Sequence, residues 1–119
     1  MSPDHKPLVW LAQAIQTPPL SGEARIEAGY LLRQLQAGSK LTLPRCRPMP
    51  SIGRRCNELR ITDQDCIWRI FCRVDEDAVV VVHWVKKKTE ATAAKDIELC
   101  KARLRNYDQI AKEAADGKA

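Results

Sequence analysis

The middle of this 119-residue chain carries several basic side chains and one histidine within segments that have the composition of β-strands. Arg60 and Arg69 lie in two neighbouring segments rich in β-branched and aromatic residues, and His83 lies in a third, shortly before three consecutive lysines. Guanidinium and ammonium groups bind phosphate oxygens and stabilise negative charge that develops on them. Imidazole exchanges protons near neutral pH. These residue types together predict a site for phosphate chemistry.

Three antiparallel strands are predicted to position these residues. The segments 56–62, 66–74 and 78–88 are rich in Val, Ile, Trp and Phe, and acidic turns at 63–65 and 75–77 separate them. Such a pattern is typical of a β-meander. The basic residues therefore belong to one continuous sheet.

The alternation of side chains along a strand predicts the register of the first two strands. Pairing Leu59 with Ile70 makes their apolar faces coincide and places Arg60 directly across from Arg69. Opposed like charges cost about 0.2–1 kcal/mol, so two interpretations stay open. The two arginines are either solvated and splayed apart, or they hold an anion between them.

The third strand is predicted to fold back with Val74 opposite Ala78, which sets His83 beside Arg69. A row of Arg60, Arg69 and His83 then crosses the three strands and ends near the lysines. Because the third strand is apolar on both faces, a slip of one residue would turn the histidine inward.

Two further segments precede the sheet. Residues 7–12 are predicted to form an edge strand or the start of a short helix. Ser21 is the expected N-cap of a helix that follows apolar helical spacing and ends at Gly38. This helix is expected to pack on the sheet.

The segments on either side of the meander are predicted as a loop and a closing helix. Residues 43–55 hold three prolines within seven positions and are predicted to be loop, so that their arginines can reach a ligand. Thr89 or Thr92 is the expected cap of a helix that continues to about Ala115. Its apolar stripe, predicted to be a core or partner face, consists of Ile97, Cys100, Leu104, Tyr107 and Ala111.

Composition limits the classes of function. A net charge of +5 and a pI near 9.1 favour a polyanionic partner. The five cysteines include no C-x-x-C pair, so they support neither a disulfide framework nor a zinc site. No apolar run approaches the roughly 20 residues of a membrane span, and the N-terminus lacks a signal-peptide core. We expect one cytoplasmic domain over residues 1–119, with a core at about 6–112, no metal, no cofactor and no membrane partner.

Several short motifs in this order carry a family resemblance. They are Met49 to Gly53 (MPSIG), Glu58 to Arg60 (ELR), Trp68-Arg69, and His83 to Thr89 (HWVKKKT) before a closing helix. Over roughly residues 5 to 110 the chain resembles the RelE/HigB toxins of type II toxin–antitoxin systems. More narrowly, it resembles the phage-derived HigB-like branch of the RelE/ParE superfamily.

The resemblance implies an α+β fold, with a RelE-like small antiparallel sheet of three meander strands and an N-terminal edge strand, packed with an N-terminal and a C-terminal helix. It implies a metal-independent, ribosome-dependent endoribonuclease that cuts mRNA by attack of a ribose 2′-hydroxyl on the adjacent phosphate. The partners implied are mRNA, the ribosome and a helix-turn-helix, HigA-like antitoxin. The candidate catalytic residues are Arg60, Arg69, His83, Lys87 and Lys88. Arg69 matches the family's sheet arginine, with Arg60 beside it, and Lys87 or Lys88 matches the basic position after the last strand. The residues expected to bind RNA are Arg54, Arg55, Arg73 and Lys86.

The chain departs from the better-known members in its acid and base. RelE-type enzymes carry a tyrosine early in the last segment, whereas residues 89–99 here contain neither Tyr nor His, and Tyr107 has the spacing of a core residue. His83 and a lysine of the 86–88 run both stay open as the proton-transfer group. Two other functions also stay open: a ParE-like inhibitor that binds DNA gyrase without nuclease chemistry, and a non-toxic basic module that binds nucleic acid.

Overall fold

The computed structural model describes residues 5–117. Its elements, in chain order, are β1 (Leu8–Trp10), α1 (Gly22–Gln36), β2 (Cys46–Pro48), β3 (Cys56–Thr62), β4 (Ile67–Val74), β5 (Val79–Lys86) and α2 (Ala94–Asp116). The five strands form one sheet in the order β1-β5-β4-β3-β2. The predicted α+β fold, with a meander of three long strands and two helices, is confirmed.

Both faces of this sheet are covered. On one face, Leu59 and Ile70 pack under α1, whose buried residues include Leu31. On the other face, Phe71 packs with Cys100 of α2. The sheet is therefore the middle layer between the two helices, and an open cleft is expected only at the edges or ends of the strands.

Helix α1 forms as its sequence predicts. The Ser21 hydroxyl accepts a hydrogen bond from the amide of Ala24 at 3.0 Å, which satisfies one of the unpaired donors of the first turn. Past the last helical residue, Gly38 has a φ of 86°, a left-handed conformation that glycine adopts without steric cost. The predicted cap and stop signal are confirmed.

The register between β3 and β4 is also confirmed. Leu59 pairs with Ile70, and Arg60 pairs with Arg69. The side-chain alternation excludes a slip of one residue, which would put the two apolar faces on opposite sides of the sheet, and the short turn between Thr62 and Ile67 excludes larger shifts.

The predicted register of β5 is wrong. Val74 pairs with Val79 instead of Ala78, and His83 pairs with Phe71 instead of Arg69. Val82 lies between two paired residues as the extra residue of a β-bulge. The turn is therefore one residue longer than predicted, and the bulge adds a second residue of offset. Side chains alternate between the two faces of a strand, so a total shift of two residues leaves His83 on the face predicted for it. That face is the α2 side of the sheet, where His83 stacks on Phe71.

The edge strands correct two further predictions. Residues 46–48 form β2, antiparallel to β3, although the whole of 43–55 was expected to be loop. Proline is tolerated there because an edge strand leaves one side without ladder hydrogen bonds. At the other edge β1 is a strand, as one of the two alternatives predicted, and it runs parallel to β5. The sheet is therefore mixed instead of purely antiparallel.

Helix α2 begins later than predicted. Its N-cap is Ala93, which has no side-chain oxygen to cap the helix, so neither Thr89 nor Thr92 has that role. Cys100 and Leu104 of the predicted stripe are buried, and Ile97 and Tyr107 are partly buried against the same cluster. Ala111 is exposed, as is the rest of the last two turns, so the stripe ends at Tyr107.

Asp63 ties the β3–β4 turn to the start of α1. Its Oδ2 accepts hydrogen bonds from the amide of Ser21 and from the indole Nε1 of Trp68, each at 3.0 Å, and its Oδ1 accepts one from the amide of Gln64. These hydrogen bonds, those from Ser21 first, hold the pKa of the Asp63 carboxyl well below its ordinary value.

We expect the Asp63 carboxylate to contribute to the free energy of unfolding at neutral pH and to lose this contribution in acid. Its pKa is depressed in the folded state, so its contribution is complete above about pH 4 and is lost as the pH falls towards the folded-state pKa. Asp63→Asn should have a lower melting temperature than the wild type at pH 7, and the difference between the two melting temperatures should be smaller at pH 2.5. Thermal denaturation at both pH values tests this, with Asp65→Asn as the matched control in the same turn. A gap that stays constant with pH would contradict the prediction.

Candidate active site

A cavity of about 470 Å³ opens where β5 ends and α2 begins. Among the described residues that line it, four are lysines and one, Asp96, carries a carboxylate. The lining residues are Arg69, His83, Val85, Lys86, Lys87, Lys88, Thr89, Ala91, Ala93, Lys95, Asp96 and Leu99. Five residues predicted from the sequence as catalytic or RNA-binding therefore meet at one place, together with Lys95 and Asp96, which were not predicted.

His83 is held by a carboxylate in this cavity. Its Nε2 lies 3.0 Å from Oδ1 of Asp96, and both side chains are about 15% exposed. The imidazole also stacks on Phe71, with ring centroids 6.0 Å apart and planes 13° apart. The hydrogen bonds of residues 5–117 leave the other ring nitrogen, Nδ1, without a partner. An imidazole that is oriented by a carboxylate and has a second nitrogen available is suited to proton transfer.

The three consecutive lysines point in different directions. The Nζ of Lys86 lies 5.8 Å from the centroid of the Trp68 ring, a cation–π distance on the α1 side of the sheet. The Nζ of Lys87 lies 3.5 Å from both carboxylate oxygens of Glu90, and its side chain is mostly buried. Lys88 is exposed at the rim of the cavity. Of these three lysines, Lys88 is therefore the one best placed to meet an incoming anion.

Arg69 lines the cavity, but its guanidinium is already engaged. Nη2 donates to the backbone carbonyls of Thr89 and Glu90, both at 2.8 Å, and Nη1 donates to the hydroxyl of Thr92 at 3.1 Å. Nε lies 3.1 Å from the Glu58 carboxylate, and the Arg69 side chain is only 4% exposed. Both terminal nitrogens thus bind the protein itself, so the geometry does not favour the predicted grip on a phosphate.

Glu58 explains why Arg60 and Arg69 can lie opposite each other. Its carboxylate is fully buried, and Oε1 lies 3.2 Å from Nη2 of Arg47 and 3.9 Å from Nε of Arg60. Glu58 lies two residues before Arg60 in β3, on the same face of the strand. A buried carboxylate with three arginines is an ion cluster, because an unpaired charge at this depth would cost several kcal/mol. The like charges are therefore compensated from inside the protein, and Arg60 does not reach the His83 cavity.

A family profile matches most of this chain. The profile of a family described as phage-derived protein Gp49-like matches residues 19–105. The chain belongs to the Gp49-like family. It is a toxin-like family related to RelE. The matched range contains the sheet from β2 to β5 and the cavity residues Arg69, His83 and Asp96. Comparison with curated proteins and with solved structures found no match.

In this Gp49-like protein the other predicted RNA-binding arginines lie elsewhere. Arg54, Arg55 and Arg73 line a second cavity, of about 370 Å³, beside α2. Arg73 donates to Asp108 and Asp75 at 2.7–2.9 Å, and these contacts, that with Asp108 first, raise the pKa of its guanidinium. Arg73 therefore joins β4 to α2. Arg54 is exposed, and Arg55 lies 3.3 Å from Asp75.

The five cysteines are free thiols, four of them buried and Cys66 partly buried. Burial raises the pKa of the thiols of Cys46, Cys56, Cys72 and Cys100, that of Cys100 to about 12. Buried thiols of raised pKa are poor nucleophiles. Within residues 5–117, no group of three or more His, Cys, Asp or Glu side chains is placed to hold a metal ion. In the same part of the chain, neither helix is both long and apolar enough to cross a membrane.

Proposed function

We propose that this Gp49-like protein is the toxin of a type II toxin–antitoxin system and that it cleaves mRNA at the His83 cavity. The observation that carries the proposal is the His83–Asp96 pair, with Nε2 and Oδ1 3.0 Å apart, in a cavity lined by lysines. Membership of a toxin-like, RelE-related family supports the toxin role. The pair supports a nuclease over a gyrase inhibitor, because binding alone needs no oriented proton-transfer group.

The proposed reaction is an internal transfer of the phosphodiester. Nδ1 of His83 accepts the proton of a ribose 2′-hydroxyl, and the 2′-oxygen attacks the adjacent phosphorus. The bond from phosphorus to the 5′-oxygen breaks, and that oxygen takes up a proton from the Lys88 ammonium or from water. Lys87 and Lys88 stabilise the charge that develops on the phosphate oxygens. The products are a 2′,3′-cyclic phosphate and a free 5′-hydroxyl.

The proposed partners follow from charge and from the family. A net charge of +5 favours approach to a ribosome with its bound mRNA in the cytoplasm. An antitoxin of the helix-turn-helix, HigA-like kind would inactivate the toxin by covering the lysine-lined cavity. Because its contacts would pair carboxylates with these lysines, the complex should weaken with salt.

Purified protein mixed with an mRNA, with and without translating ribosomes, tests the reaction. We expect cuts only with ribosomes, and the cut ends should be a 5′-hydroxyl and a 2′,3′-cyclic phosphate. The double variant Lys87→Gln, Lys88→Gln should cut at least about tenfold more slowly, since each lost contact to a charged group costs about 1.5–3 kcal/mol. Lys112→Gln, on the exposed end of α2, is the matched control. Uncut RNA together with inhibition of DNA gyrase would favour the ParE-like alternative.

A further inference from the structure

The loop between β5 and α2 forms one wall of the candidate active site. Lys88, Thr89 and Ala91 of this loop line the cavity, and the loop leads into the first turn of α2, which carries Asp96. Its conformation therefore sets where the lysines and the His83–Asp96 pair lie relative to each other.

Arg69 holds this loop from the sheet side. One guanidinium contacts three successive parts of the loop, namely the carbonyls of Thr89 and Glu90 and the hydroxyl of Thr92. A planar guanidinium with several fixed donors can do this, whereas the single ammonium of a lysine cannot match the same geometry. The α2 N-cap, Ala93, offers no side-chain bond that could fix the loop instead.

Glu58 holds Arg69 in turn. Its Oε2 lies 3.1 Å from Nε of Arg69 and 3.5 Å from the hydroxyl of Thr92. Glu58 is fully buried and Arg69 nearly so, which excludes water from these contacts and strengthens them. A continuous set of polar contacts thus runs from β3 through β4 to the loop.

We propose that Glu58, Arg69 and Thr92 form a positioning cluster that holds the loop of residues 87–93 in its working shape. Arg69 acts through the loop and does not touch the substrate phosphate. The catalytic part of this inference rests on the proposed nuclease function, but the anchoring of the loop does not. The two parts can therefore be tested separately.

Trypsin reports on the loop without any reference to RNA, because the loop begins with lysines. Thr92→Val keeps the shape of the side chain and removes the hydroxyl. Arg69→Lys keeps the positive charge and removes the two terminal guanidinium nitrogens that bind the loop. Each should speed cleavage after Lys87 or Lys88 at least about tenfold, as loss of a hydrogen bond to a charged group implies. Thr62→Val, at an exposed threonine of β3, should match the wild type. Mass spectrometry of the first fragments identifies the cut.

RNA cleavage by the same variants tests the positioning role. We expect Thr92→Val and Arg69→Lys to lower the rate by similar factors, and the double variant to lose little more than either alone, since both act through one cluster. Unchanged trypsin cleavage in both variants would overturn the anchoring. Faster trypsin cleavage with wild-type RNA cleavage by Thr92→Val would overturn the positioning role. A wild type that never cuts RNA, with the trypsin result as expected, would refute the nuclease function and leave the anchoring standing.

Discussion

His83→Asn is expected to lower RNA cleavage by about 10²–10⁴-fold, the usual contribution of a general acid–base group. Asparagine fits within the space of the imidazole but cannot accept the proton of the 2′-hydroxyl, and it is too short to keep the contact that Nε2 makes with Asp96. The ring nitrogen that faces Asp96 is 3.0 Å away, so the carboxylate orients the imidazole without taking part in the attack. Single-turnover cleavage on ribosomes is the measurement.

The chain offers a matched control, because its other histidine, His5, is exposed near the N-terminus. His5→Asn should cleave like the wild type. Asp96→Asn should lie between the wild type and His83→Asn, since it leaves the imidazole in place but less firmly oriented. If His83→Asn cleaves within about threefold of the wild type while melting at the same temperature, His83 is not the general base.

Glu58→Ala is expected to lower the free energy of unfolding by about 3–5 kcal/mol, the cost of breaking a buried ion pair from one side. Glu58 is fully buried, and Arg69, only 4% exposed, would lose its carboxylate with no water to replace it. Denaturation by urea, followed by circular dichroism, measures the change. Glu76→Ala, at an exposed turn residue, is the control and should stay within about 0.5 kcal/mol of the wild type. If Glu58→Ala lowers the free energy of unfolding by less than about 1 kcal/mol, the ion cluster does not stabilise the fold as expected.

The parts of the fold that the sequence predicted correctly are those with one unambiguous pattern. Residues 22–36 follow helical spacing between a serine cap and a glycine, and the structure has that helix. Leu59 pairs with Ile70 because this register keeps the apolar faces of both strands together and the turn between the strands is short. In contrast, β5 begins with four valines that are buried on both faces, so no alternation marked its register or the bulge at Val82.

The cationic side of the site was predictable, and its carboxylates were not. His83 and the lysines could be identified as candidate site residues from their types and their spacing in the sequence. Asp96 meets His83 from a helix whose start was predicted too early, so its orientation could not be inferred. Glu58 did carry a usable signal, since it lies two residues from Arg60 on the same strand face. Arg73 was expected to bind RNA because its acidic partners, Asp75 and Asp108, were not connected with it.

Mapping of mRNA 5′ ends in cells that express the wild type or His83→Asn shows whether the protein cleaves RNA at the His83–Asp96 pair. We expect the wild type to arrest growth and to produce new 5′-hydroxyl ends within translated messages, and we expect His83→Asn, present at the same level, to produce none. Growth arrest by both proteins without new ends in either would contradict RNA cleavage at the His83–Asp96 pair.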